Sequence, residues 1–142
     1  MNRFAVIAFL LTVSVFVCNG QEFIGKHKEE VKQIMRAERK DVHIDQSSRN
    51  TVYNLLKYVD GLNTQTILFV FNDNDTCIFY KTIYDYLYLR QVERELNQKY
   101  TKASSGRWYF YSGNNTYIVT LKKEKWYFSV LVNKEDNQQK ST

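Results

Sequence analysis

Proline is absent from the 142 residues, and no Gly/Ser-rich stretch takes its place as a spacer. A chain with neither kind of linker composition points to a single compact unit. Cysteine is nearly as scarce, with Cys18 and Cys77 the only two. Cys18 falls in an N-terminal leader, so the working chain keeps Cys77 alone and an intramolecular disulfide is excluded. The fold must then rest on its core, and an aromatic content of 15% points to a core rich in rings. Histidine is limited to His27 and His43, far apart and with no Cys or acid at ligand spacing. A zinc site needs four such ligands, or three and a water, so no metal and no other cofactor is expected. Charge of one sign is not in large excess either: 20 Lys+Arg stand against 15 Asp+Glu, mixed along the chain. A weak, dispersed positive balance describes a solvated surface rather than a nucleic-acid partner.

No apolar run is long enough to cross a bilayer. The longest, Phe4 to Val17, is interrupted by Thr12 and Ser14 and falls short of the roughly 20 residues a spanning helix needs. Its setting explains it better. Arg3 is the single charge before Glu22, and Cys18 and Gly20 lie three and one residues ahead of Gln21. A basic start, an apolar stretch and small residues at the cut form a signal peptide, expected over residues 1–20 with cleavage between Gly20 and Gln21. The alternatives are a retained membrane anchor and a lipid on Cys18, and the second is opposed by Val17, where a small residue is required. The expected product is secreted or periplasmic. What remains suffices for one domain and not two: a single α+β domain over 21–132 and a polar tail over 133–142.

Past Gln21, the spacing of His27, Val31, Ile34, Met35 and Glu38 predicts a helix from Lys26 to about Lys40. Acids in its first turns and Arg36, Arg39 and Lys40 at its end suit the helix dipole. Val42–Ile44 offers a short extended piece. Residues 52–59 carry both helical and strand spacing, and their β-branched and aromatic content favours strand. Strands are expected over Thr66–Phe71 and Thr76–Tyr84, joined by the turn residues Asn72–Asp75. Asp85 can cap a second helix reaching Tyr100, with Leu89, Val92, Leu96 and Tyr100 on one face. Arg107–Ser112, Thr116–Leu121 and Trp126–Val132 read as three more strands. The expected order is α-β-β-β-α-β-β-β, an α+β fold with an antiparallel sheet and both helices packed on one face.

Few residues invite a chemical role. Cys77 alternates inward with Phe79 on a strand and reads as a small buried thiol rather than a nucleophile. Asn72-Asp73-Asn74-Asp75-Thr76 begins like a calcium loop, but the following glycine and the distal glutamate are missing. Asn74-Asp75-Thr76 and Asn114-Asn115-Thr116 fit the glycosylation sequon, which marks surface turns. No catalytic residue is assigned. The aromatic strands are richer. Alternation along Arg107–Tyr111 and Lys125–Phe128 would send Trp108, Phe110, Trp126 and Phe128 into the core. Tyr109, Tyr111 and Tyr127 would then face outward, flanked by cations, as a candidate binding face able to stack on sugars or peptides. Tyrosine is also an ordinary strand residue that tolerates partial exposure.

Four stretches carry a resemblance: Phe23-Ile24-Gly25-Lys26 leading to Glu30-Val31 and Met35, then Leu56-Lys57-Tyr58-Val59, Leu96-Asn97-Gln98-Lys99-Tyr100 and Glu124-Lys125-Trp126-Tyr127-Phe128. With the leader, they make the chain resemble small exported proteins of Bacteroidetes-type bacteria, whose shared motifs are packing motifs and imply no activity. The glycine-then-helix opening also resembles SmpA/OmlA-like and β-lactamase-inhibitor-like domains, although Ala37-Glu38-Arg39 stands where those have Gly-x-Pro. That resemblance implies helices on an antiparallel sheet and a role in binding other proteins. The expectation is an exported, non-enzymatic module that binds a protein or envelope component. The alternatives are a glycan-binding domain with an aromatic sheet face and a small secreted enzyme.

Overall fold

The computed structural model describes residues 23–47 and 53–136. The leader, the Gly20–Gln21 cleavage site and residues 137–142 of the expected tail lie outside them. The fold is α+β and mostly sheet: eight strands and two α-helices among the described residues.

Helix α1 runs Lys28–Glu38. It starts where it does because His27 caps it. The imidazole Nδ1 accepts from the Glu29 N–H at 3.2 Å, and the Glu30 carboxylate accepts from the His27 N–H at 3.2 Å. This reciprocal pair satisfies donors that a helix start leaves orphaned. Val31 and Met35, one turn apart, are its buried residues. Helix α2, Leu89–Lys99, is entered through a short 3-10 turn at Tyr86–Tyr88, and Val92 and Leu96 are buried. Asp85 does act as the cap, but for the 3-10 turn, through the Leu87 N–H at 2.8 Å.

The strands are β1 Val42–Ile44, β2 Leu55–Asp60, β3 Gln65–Phe71, β4 Cys77–Tyr84, β5 Thr101–Ser104, β6 Arg107–Ser112, β7 Asn115–Lys123 and β8 Phe128–Lys134. All neighbours pair antiparallel, in the spatial order β1-β2-β3-β4-β8-β7-β6-β5. The expected α-β-β-β-α-β-β-β order is thus corrected to a helix and four strands, twice. The two meanders meet at the centre, where β4 pairs with β8, and the short strands β1 and β5 form the edges. Short edges limit unwanted pairing with other chains.

Of the two additional strands, β1 is the short extended piece at Val42–Ile44, and β5 has no apolar alternation. All four residues of β5 are exposed, so backbone pairing to β6 alone makes it a strand. The last strand also differs from its expected bounds. The Glu124 N–H donates to the Tyr127 carbonyl at 2.8 Å, which closes a turn and delays β8 to Phe128. Its far end reaches into the expected tail: Asn133 pairs with Phe79 and Ile118, and Lys134 with Tyr117.

Register sorts the sheet into two faces. Leu56, Phe69, Tyr80, Val132, Val119 and Trp108 lie opposite one another across six strands. All six are buried and share one core with Val31 and Met35 of α1 and Val92 and Leu96 of α2. Rings dominate it: Phe69 lies 4.9 Å from Phe23 and 5.7 Å from Tyr80, centroid to centroid. None of the described helices is long and apolar enough to cross a membrane.

Candidate binding surface

The opposite face of the sheet is where the chain is least committed to itself. One cross-strand row reads Leu55, Val70, Phe79, Asn133, Ile118 and Tyr109. The row beside it reads Lys57, Leu68, Lys81, Leu131, Thr120 and Arg107. Most of these side chains are half-buried, neither sealed in the core nor fully wet. Neither row contains a carboxylate, and Lys57 finds its acid outside the sheet, in Asp45 at 2.8 Å. That bridge and the Ser47 hydroxyl hold the Asp45 carboxyl well below the usual carboxylate range. The apolar residues of these rows were not singled out in the sequence. The unbroken run Ile67-Leu68-Phe69-Val70-Phe71 carried the signal, since a strand apolar at every position has apolar residues on both faces.

Tyr109 and Tyr111 project from β6 onto this face. Their rings meet edge to face at 5.5 Å, a favourable arrangement for aromatic quadrupoles. Tyr111 is 70% exposed, and the pair borders a shallow depression with Arg107, Thr116, Ile118 and Glu135. Tyr127 does not join them. Tyr111 pairs with Thr116 at one end of β7, whereas Tyr127 sits in the turn beyond Lys123 at the other. At about 3.4 Å per residue this places it on the order of 20 Å away. The expected three-tyrosine face is therefore a two-tyrosine patch.

The core assignments need one correction. Trp108 and Phe128 are buried and Phe110 is packed against the core, but Trp126 is 77% exposed. It sits in the turn before β8, with the Lys125 ammonium 4.9 Å from its ring centroid. Leu62 and Leu87 are also exposed, in the neighbouring turns at that end of the sheet.

Cys77 lies near His27 in the backbone, because the 25–28 segment pairs with residues 75–77: Gly25 N–H to Cys77 carbonyl and Cys77 N–H to Lys26 carbonyl, both 2.8 Å. The side chains part company. His27 is exposed and its Nδ1 is engaged by the helix cap, while the Cys77 thiol is buried and burial pushes its pKa up to about 12. A thiol held protonated is a poor nucleophile. His43 lies on the distant edge strand β1. In a chain beginning at Gln21, Cys77 is expected to resist a thiol reagent at pH 8 in the native state and to react fully in denaturant. Rapid native labelling would sink the reading of a buried thiol. Cys77→Ser should cost about 1 kcal/mol through the buried hydroxyl.

The Asn72–Thr76 segment is a turn held by its own hydrogen bonds and by Asn54 and Lys28. Asn72 Oδ1 accepts from the N–H groups of Asn74 and Thr76 at 3.0 and 2.9 Å, and Asn54 donates to Asp75. Among the described residues no group of three His, Cys, Asp or Glu could hold a metal ion. No family model, no curated protein and no solved structure matches the chain.

Proposed function

We propose that the chain is an exported, non-enzymatic binding module whose two helices cover one face of the sheet and whose other face docks onto a protein of the cell envelope. One observation carries the reading: half-buried Leu55, Val70, Phe79 and Ile118 line one row of the outward face, beside a row in which Leu68 and Leu131 stand among Lys57, Lys81 and Thr120. Contiguous apolar surface left half-wet on a sheet face is a mark of an interaction site. The helix placement is supported by Met35, Val92 and Leu96 sharing one cavity with Phe69, Tyr80 and Val132. The resemblance to β-lactamase-inhibitor-like domains points the same way. The outward Tyr109–Tyr111 pair beside Arg107 favours a second reading, a glycan stacked on the rings.

The test is capture from envelope extract by chain 21–142 and by the double change Tyr109→Ala with Tyr111→Ala, with thermal melting alongside. Unchanged melting with at least tenfold lower capture of a defined protein is expected. Equal capture by both would remove the tyrosines from the surface, and capture of polysaccharide alone would favour the glycan reading.

A further inference from the structure

The sheet is wider than two helices can cover. Eight strands at about 4.8 Å spacing span roughly 34 Å, while a helix with its side chains is about 10 Å across. In the resulting gap lies a cavity of about 180 Å³. Met35 of α1 forms one wall and Val92 and Leu96 of α2 the other, over a floor that includes Phe69, Val130 and Val132. The floor is drawn from β3, β4, β8 and β7, the four central strands. Arg39, Glu95 and Lys99 stand on its lining as charged residues. Arg39 is already engaged by Asp41 and by Gln65 at 2.8 and 2.9 Å, so the lining offers no uncommitted guanidinium for an anion.

The rest of the lining is predominantly apolar, with hydroxyl-bearing Tyr80, Thr82, Tyr84 and Tyr100 among it. Thr82 and Tyr84, two residues apart on β4 and so on the same face, both line it, with the Tyr84 hydroxyl hydrogen-bonded to Thr82 and Gln65. Thr82 is one of only two buried polar residues among those described. An apolar cavity of about 150 Å³ is enough to stay dry and take up benzene, so this one has room for a single ring and a substituent. Ligand pockets commonly combine such an apolar lining with a few polar groups that fix orientation.

We propose that the cavity between α1 and α2 binds a small monocyclic molecule carrying one hydrogen-bonding group, with the ring against Met35, Val92 and Leu96 and the polar group at Thr82 and Tyr84. The site is separate from the outward face and does not depend on a protein partner. A ligand held there bridges both helices to the central strands, so it stabilises the folded chain by mass action.

The test uses chain 21–142 with p-cresol and toluene as probes, followed by amide and methyl chemical shifts. Saturable shifts confined to residues lining the cavity are expected for both, with p-cresol the tighter. Val92→Phe should fill the space and weaken both probes at least tenfold. Thr82→Val, which keeps the side-chain shape, should weaken p-cresol several-fold and leave toluene unchanged. Should Val92→Phe fail to fold, Val130→Ile fills part of the floor and should weaken both probes in the same sense. No saturable shifts, shifts centred on Tyr109 and Tyr111, or unaltered affinity in the filled variants would overturn the proposal.

Discussion

Phe128→Ala is expected to destabilise the fold by about 3–5 kcal/mol, whereas Trp126→Ala, two residues earlier, should change stability by no more than about 0.5 kcal/mol. The contrast follows from burial. Phe128 is 0% exposed at the start of β8. Its ring lies stacked 5.1 Å from Tyr84 and tilted 5.9 Å from Tyr86. Through it the last strand grips both the end of β4 and the 3-10 turn that leads into α2. Truncation removes the ring's transfer energy and leaves a void that three surrounding elements cannot easily fill. Small domains have about 5–15 kcal/mol in all, so this loss approaches the whole. Trp126 projects from a turn and surrenders little beyond its contact with Lys125. Urea melts of the two variants decide the matter. A loss above about 2 kcal/mol for Trp126→Ala would place its indole in the core after all.

The second large effect is expected at Trp108, the tie between α2 and the outer half of the sheet. Its side chain is 2% exposed, sits across from Val119 on β7, and donates its indole N–H to Asn97 Oδ1 on α2 at 2.9 Å. Trp108→Ala should cost about 3–5 kcal/mol and leave the Asn97 amide oxygen without its donor. Trp108→Phe keeps most of the packing and loses the hydrogen bond, so a smaller cost of about 1–3 kcal/mol is expected. Hydrogen exchange adds a spatial readout. In the alanine variant the amides of α2 should lose protection before those of β3 and β4, because the anchoring of α2 is what fails. Uniform loss across the sheet would show instead that Trp108 supports the whole core equally.

The readable parts of the fold share a property: their residues carry the pattern of one face buried and one face wet. Val31 with Met35, and Val92 with Leu96, stand four apart and place both helices. Alternation along Arg107–Ser112 sends Trp108 inward and Tyr109 and Tyr111 outward, as observed. Cys77 is buried as expected, but not by alternating inward with Phe79: the register shifts between Val70 and Phe71, so Cys77 pairs with the buried Phe71 while Phe79 pairs with Val70 on the outward row.

Where pattern was missing or local, the reading went astray. Thr101–Ser104 is exposed throughout, so nothing in its composition distinguishes a strand from a loop. It is a strand because β6 offers it hydrogen bonds. His27 caps α1 although Ser, Thr, Asp and Asn are the usual caps, and the backbone pairing of residues 25–28 with 75–77 puts it there. Trp126 has the right parity to share a face with Phe128, but parity applies only within a strand. The turn at Glu124–Tyr127 ends that strand first.

By itself, then, the amino-acid sequence determined that the chain is α+β, which segments are amphipathic helices and which strand residues alternate. These are properties of neighbours a few residues apart, and local backbone geometry converts spacing directly into facing. Tertiary structure alone decided the β4–β8 junction at the centre, the separation of Tyr127 from Tyr109 and Tyr111, the outward row of Leu55, Val70, Phe79 and Ile118, and the cavity lined by both helices. Each of these depends on which strands lie side by side and in what register. That choice is made by burial summed over the whole sheet, which no single stretch of sequence contains.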